Sequence, residues 1–446
     1  MTDKERYLDE LQHFLRMPSI STDPAYQPDI ACAAVFLRDK LKGAGLRNAG
    51  LIEGQGNPLV YAEWLGAPGK PTLLLYGHYD VQPPDPLDEW ISPPFEPTIR
   101  GENIYARGAA DDKGLTLILA NAVEKLLHRD GRLPVNVKFL IEGEEESGGR
   151  HIEKYVSAKP ERIRADAAII SDTEMFAPEL PTICVGLRGI VYGELHVQGA
   201  EQDLHSGVYG GAAPNPIHAI AEILCALKDR HGRIHIPGFY DRVQPPSEDE
   251  RRAWAKLPFN VEEYRTKEVK VPALTGEPEV TLFERLWARP TLEVHGIRGG
   301  FIGEGAKTVI PARAVAKLSM RLVADQRPDE AVSQLQAALK GVCPRGVTAE
   351  FRALHSAAPS LVRTDNRFIR MAAKAMTEVF GNETVYTRSG GSIPIVGLFD
   401  RYLGIPSVMM GFGLPDDNLH SPNEKLFLPN FYRGIDAVAR YLELLG

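Results

Sequence analysis

The chain has little that would tie it to a membrane, to nucleic acid or to an oxidising compartment. Its 446 residues include only four cysteines, Cys32, Cys184, Cys225 and Cys343, and none is spaced as a pair. That argues against a disulfide framework and leaves reduced structural thiols, or at most an incidental ligand. No uninterrupted apolar run approaches the roughly 20 residues a membrane helix needs. The opening residues Met1-Thr2-Asp3-Lys4-Glu5-Arg6 contain no apolar signal core. No basic cluster is present, and the formal net charge of -8 argues against nucleic acid as a partner. Repeats and low-complexity tracts are absent. The expectation is a cytoplasmic protein that engages neither membrane nor nucleic acid, and its length points to two domains.

What the chain does have is an alternation of apolar strands and amphipathic helices. Tyr7, Leu8, Leu11, Phe14 and Leu15 recur at helical spacing. Pro58 to Leu65 and Thr72 to Tyr76 read as strands, the second apolar enough to be buried on both faces. A helix is expected over Leu115 to Leu127, a strand over Val135 to Ile141 and another over Ala167 to Ile170. This pattern predicts an α/β layer architecture with a largely parallel central sheet flanked by helices. After about Gly186 the character changes. Strands over Val191 to Val197, Ala314 to Leu322 and Thr348 to Ala353, with helices over Ile217 to Leu227 and Pro328 to Leu339, suggest an inserted α+β domain. The stretch from about 230 to 290 reads as long connections with short elements. A helix from Asp365 to Phe380, a strand near Ser407 to Gly411 and a helix from Pro429 to Leu445 return to the first domain. The expected division is 1–186, 187–362 and 363–446.

Acids and histidines gather where strands end. The run Leu73-Leu74-Leu75-Tyr76-Gly77-His78-Tyr79-Asp80 closes on a His and an Asp two positions apart, which share a face if the strand continues. A His held by a carboxylate is the usual arrangement of a metal ligand and its support. Asp111 and Asp112 precede a helix, with capping as the alternative reading. Glu144, Glu145 and Glu146 crowd a Gly-rich turn after a buried strand, where like charges are costly without cations nearby. A solvated loop is the alternative there, and a helix cap is the alternative for Asp172. His420 lies in a late polar loop. Ligands collect at the carboxyl ends of parallel strands, so these groups can meet. Imidazole and carboxylate ligands suit zinc, with manganese or cobalt possible, and two such ions can activate one water for amide hydrolysis.

An ordered series of segments sharpens this reading. It runs through Gly77-His78-Tyr79-Asp80-Val81-Gln82-Pro83, Arg107-Gly108 to Lys113-Gly114, and Glu142-Gly143-Glu144-Glu145-Glu146-Ser147-Gly148. It continues with Ser171-Asp172, Asp203-Leu204-His205-Ser206-Gly207, Gly305 to Pro311, Gly390-Gly391-Ser392-Ile393-Pro394 and His420-Ser421-Pro422-Asn423-Glu424. The series covers nearly the whole chain. It resembles the aminoacylase/carboxypeptidase family of di-zinc metallopeptidases, most of all the branch of cytosolic nonspecific and carnosine dipeptidases.

The resemblance implies a metal-dependent dipeptidase holding two divalent ions per subunit. His78 and Asp172 would bind one ion, Glu146 and His420 the other, and Asp111 would bridge them, followed by a cis peptide bond. Asp80 would orient His78 and Glu145 would serve as general base and acid, with Glu144 turned away. The inserted domain would be a lid and the surface of a homodimer. Across it His205 and Thr308 would steady the oxyanion in the partner's site. Arg321 would hold the substrate's carboxylate, His355 would lie near the substrate, and Ser392 with Gly390 and Gly391 would contact the substrate end. Salt-bridged sheet residue is the alternative for Arg321, and an ordinary turn for the Gly390 segment. The alternative substrate class on the same scaffold is an N-acyl or N-carbamoyl amino acid.

Overall fold

A computed structural model describes residues 2–446. The chain forms two compact units. The first runs to Val185 and resumes over Val362–Thr387 and Leu398–Gly446; the second comprises Gly186–Leu361 and Arg388–Gly397. The segment Arg388–Gly397, read from sequence with the returning part of the first domain, therefore clusters with the second unit.

In the first unit, four short apolar strands form a parallel core. Asn136–Glu142, Thr72–His78, Ala167–Ile170 and Ser407–Met410 lie side by side in that order. Nearly every residue in them is buried; Thr72 to Tyr76 and Ala167–Ile170 accordingly read as continuous apolar runs, whereas Asn136–Glu142 alternates in sequence although it too is buried throughout. The flanks are antiparallel. Gly56–Trp64 pairs with Asn136–Glu142, and Arg47–Gly54 pairs with Gly56–Trp64 at the edge. On the other side Ile183 and Cys184 pair with Met410 and Met409. The sheet is thus mixed, parallel only at its centre. The edge strand Arg47–Gly54 escapes sequence reading because it carries Gly, Asn and Glu and is only partly buried.

Helices cover this sheet. Asp3–Leu15 begins with a capping box, Thr2 accepting from the Glu5 N–H while Glu5 accepts from the Thr2 N–H. Lys113–Asp130 packs against Leu428–Leu445, which also packs against Arg367–Phe380. Their apolar faces enter one core with the strands, including Leu117, Ile118, Met376, Phe431, Ile435 and Leu442. A separate small sheet carries Thr98–Arg100, Asn103–Tyr105 and Lys425–Phe427. Three-residue strands are too short to show a period, so none was legible in the sequence.

The second unit is an antiparallel sheet in the order Thr291–Gly299, Arg313–Leu322, Gly189–Gln198, Thr348–Ala357. Gly189–Gln198 alternates strictly between buried and half-buried positions, as expected for a sheet with one covered face. Helices Pro216–Leu227 and Pro328–Val342 cover that face, burying Val191, Leu195, Ile220, Ile223, Leu318 and Leu335. Residues 230 to 290 contribute short helical turns such as Glu248–Trp254.

Close packing beneath the strand end bearing His78 is testable. A Cβ on Gly77 would lie 2.0 Å from Thr116 Oγ1 and 2.9 Å from Asp112 Oδ2. Gly77→Ala should therefore cost about 1–3 kcal/mol in urea unfolding, the usual range for overpacking. Gly43→Ala, in a helix with nothing within 4 Å, should be neutral or mildly stabilising.

Candidate active site

Strand Thr72–His78 delivers His78 to the carboxyl edge of the parallel sheet, where it pairs with Glu142 of the neighbouring strand. The strand stops at His78, so Asp80 meets it through the following turn rather than by strand alternation. His78 Nδ1 lies 3.1 Å from the Asp80 carbonyl and 3.4 Å from Asp80 Oδ1. The Asp80 carboxylate has a second task that the sequence did not suggest. Its two oxygens accept from the backbone N–H groups of Glu145 (3.2 Å) and Glu146 (3.1 Å), which fixes the acidic turn over the strand ends.

Asp112 occupies the N-cap position of helix Lys113–Asp130 but its side chain does not cap. It accepts from the His78 N–H at 3.0 Å and from Thr116 Oγ1 at 2.8 Å, buttressing the strand end instead. Asp111 is freed to face the histidines, and the peptide bond between the two aspartates is cis. Asp111 Oδ1 lies 3.1 Å from His78 Nε2, and Oδ2 lies 2.9 Å from His420 Nε2. Glu146 Oε1 stands 3.4 Å from His420 Nε2, while Oε2 accepts from Gln82. Asp172 follows strand Ala167–Ile170 and begins no helix, which removes the capping alternative. Two ligand groups result: His78, Asp111 and Asp172; and Asp111, Glu146 and His420. Within each group the potential ligand atoms lie within 4.8 Å of one another. Asp111 belongs to both.

The donor set fits cations. His78 Nε2 and Glu146 Oε1 are buried and make no hydrogen bond, although Asp111 Oδ1 and His420 Nε2 respectively lie within 3.4 Å of them. Burial raises Asp172 to about 7, helped by the Asp111 charge. It raises Glu145 well above the usual carboxylate range, with Asp172 and Glu146 adding to the effect. His420 is pushed up to about 10 by its hydrogen bond to Asp111 and by Glu146 beside it. Burial alone would raise Asp111, but the His420 and His78 imidazoles hold it low. The cluster gathers more negative than positive charge, and positive charge stabilises it. Glu144 turns the other way: it accepts from the Asn57 N–H at 3.2 Å and the His151 N–H at 3.0 Å.

The remaining candidates all belong to the second unit. His205 is exposed; its Nδ1 accepts from the Gly207 N–H at 3.0 Å. The ladder pairing His205 with Val309 places it beside exposed Thr308, whose carbonyl accepts from the Ser206 N–H. Arg321 Nη1 donates to Ser392 Oγ at 2.9 Å, and the Ser392 hydroxyl donates to the Arg188 carbonyl. No carboxylate pairs with Arg321 among the described residues, so the salt-bridge alternative does not hold. Arg188 itself holds the Gly390 carbonyl at 3.3 Å, a contact that nothing in the sequence signalled. His355 stacks on Tyr192 with ring centroids 5.4 Å apart. Burial and the nearby Arg321 charge lower its pKa.

Comparison with known proteins accords with this geometry. The model of peptidase family M20/M25/M40 matches residues 74–444, so the chain belongs to that family. It is 33% identical over 473 residues to the Cys-Gly metallodipeptidase DUG1 of Candida albicans, covering 99% of this chain and 95% of the relative. The crystal structure of human carnosine dipeptidase 1 superposes with a TM-score of 0.82 at 31% identity, covering 99% and 96% of the two chains. An M20 family metallo-carboxypeptidase from Sulfolobus solfataricus gives 0.88 at 35% identity, over 98% and 99%.

Proposed function

We propose that this chain is a metal-dependent dipeptidase whose centre holds two divalent ions. The observation that carries the reading is Asp111, one carboxylate with an oxygen toward each of two histidines, shared by two ligand groups. His78, Asp111 and Asp172 would hold one ion, and Asp111, Glu146 and His420 the other. Nitrogen and carboxylate donors favour zinc, with manganese or cobalt compatible. When bound, the pair supplies Lewis-acid polarisation of the scissile carbonyl and lowers the pKa of a water.

The protein's own groups do the rest. The Glu145 carboxylate, held over the strand ends through its backbone, takes a proton from the attacking water and returns it to the leaving amine. Asp80 keeps both the His78 ring and the Glu145–Glu146 turn in place. Arg321, with Ser392 fixing its direction, takes the substrate's free carboxylate, and its planar fork suits that group. His355 lies beside Arg321 at the same end. His205 and Thr308 would steady the oxyanion in a homodimer, each serving the partner's site. The named relatives act on dipeptides or trim a chain from its carboxyl end, and all such substrates offer that carboxylate.

Release of free amino acids from a dipeptide panel tests the reading. Hydrolysis should need added zinc or manganese and stop with chelator. Intact dipeptides in the presence of metal would overturn the proposal, and faster cleavage of longer peptides than of dipeptides would move it to a carboxypeptidase. Glu145→Ala should lower kcat by about 10²–10⁴-fold while metal analysis still finds two ions per chain. Full activity in that variant would remove Glu145 from the mechanism.

A further inference from the structure

The loop bearing Asp111 and the loop bearing His420 are more than 300 residues apart, yet one side chain binds them together. Glu424 is fully buried. Its Oε1 accepts from the N–H groups of Ala110 (2.9 Å) and Asp111 (3.0 Å). Its Oε2 accepts from the Gly108 N–H at 2.9 Å and from Arg107 Nη1 at 2.7 Å. Its own carbonyl accepts from the Ala106 N–H at 3.1 Å. Within the run from 106 to 111, the one remaining backbone N–H besides these and Arg107 is that of Ala109, which turns back to Ala106. The Arg107 N–H goes to Pro94, and its Nη2 to Pro83.

Glu424 also ends the His420 loop. That loop is irregular: Asn418, His420 and Asn423 have φ of 56°, 57° and 63°, a region that residues with side chains rarely adopt. Such a backbone persists where the surrounding structure over-determines it. At one end Asp417 accepts from the Leu414 N–H at 2.7 Å and from Lys425 Nζ at 2.8 Å. At the other end stands Glu424, four residues after His420. Neutralising buried Arg107 would need one oxygen of Glu424. Both oxygens instead hold the backbone from which Asp111 projects.

We propose that Glu424 is a positioning residue of the metal centre, fixing Asp111 and His420 relative to one another through the 106–111 backbone. The inference rests on the reading of Asp111 and His420 as metal ligands. Removing a residue that orients ligands typically weakens metal binding by about 10–100-fold.

The test measures zinc affinity by competition with a chromophoric chelator, alongside thermal unfolding of the metal-free chain. Glu424→Gln sets an amide against the Gly108 or Asp111 donors, and Glu424→Asp keeps the charge but withdraws it by one methylene. Either folded variant should bind zinc about 10–100-fold more weakly than wild type. A lower melting temperature with affinity within about threefold of wild type would overturn the proposal, leaving a purely structural role. Wild-type chain supplies a measurement that needs no variant. On zinc titration, amide hydrogen exchange of 106–111 and 418–424 should slow together with one midpoint; separate midpoints would overturn it. Wild-type protein that binds no zinc would instead sink the metal reading itself.

Discussion

The constraint on which this structure turns is the gathering of like charges at one edge of a buried sheet. Asp80, Asp111, Asp172, Glu145 and Glu146 converge around the imidazoles of His78 and His420. A carboxylate removed from water prefers to be neutral unless donors or cations surround it. The fold answers with backbone N–H groups where it can: Asp80 takes those of Glu145 and Glu146, Glu144 takes two others, and Asp112 takes that of His78. Asp111, Asp172 and Glu146 are left facing one another and the two histidines, which is the arrangement a pair of metal ions resolves.

Topology brings these groups within reach. Parallel strands end on one edge, so residues just beyond Tyr76, Ile141 and Ile170 meet although the sequence separates them widely. His420 arrives by another route. Lys425–Phe427 pairs with Asn103–Tyr105, and that short ladder draws the late loop alongside the turn that carries Asp111. Glu424 closes the junction. The most exposed ligand candidate is thus tethered to the buried framework by a residue that ligates nothing.

Much of this was legible from residue order. Runs such as Leu73 to Tyr76 and Ala167 to Ile170 read as buried strands because every position is apolar, and the alternation of Val191 to Val197 matched a sheet with one covered face. What escaped included the edge strand Arg47–Gly54, the three-residue strands, the helix Gln27–Gly43, the strands Thr182–Leu187 and Thr291–Gly299, and the attachment of Arg388–Gly397 to the second unit. The family resemblance implied the ligand set His78, Asp111, Glu146, Asp172 and His420; side-chain type alone pointed to His78, the Asp111–Asp112 pair, Glu144 to Glu146, Asp172 and His420. It could not separate Asp111, which faces the histidines, from Asp112, which supports a backbone.

The sequence by itself determined the chemistry available: imidazoles and carboxylates at strand ends, a Gly-rich acidic turn, an arginine on a sheet, and apolar periods that place them. These follow from local covalent order and from the periods of strand and helix. Tertiary structure alone decided which oxygen faces which nitrogen. Asp80 holds the acidic turn, Asp112 holds the His78 backbone, Arg188 holds Gly390, and Glu424 joins loops more than 300 residues apart. Each is a hydrogen bond between distant segments. Its partner is set by packing in three dimensions, because no spacing along the chain encodes a contact that only the folded sheet brings about.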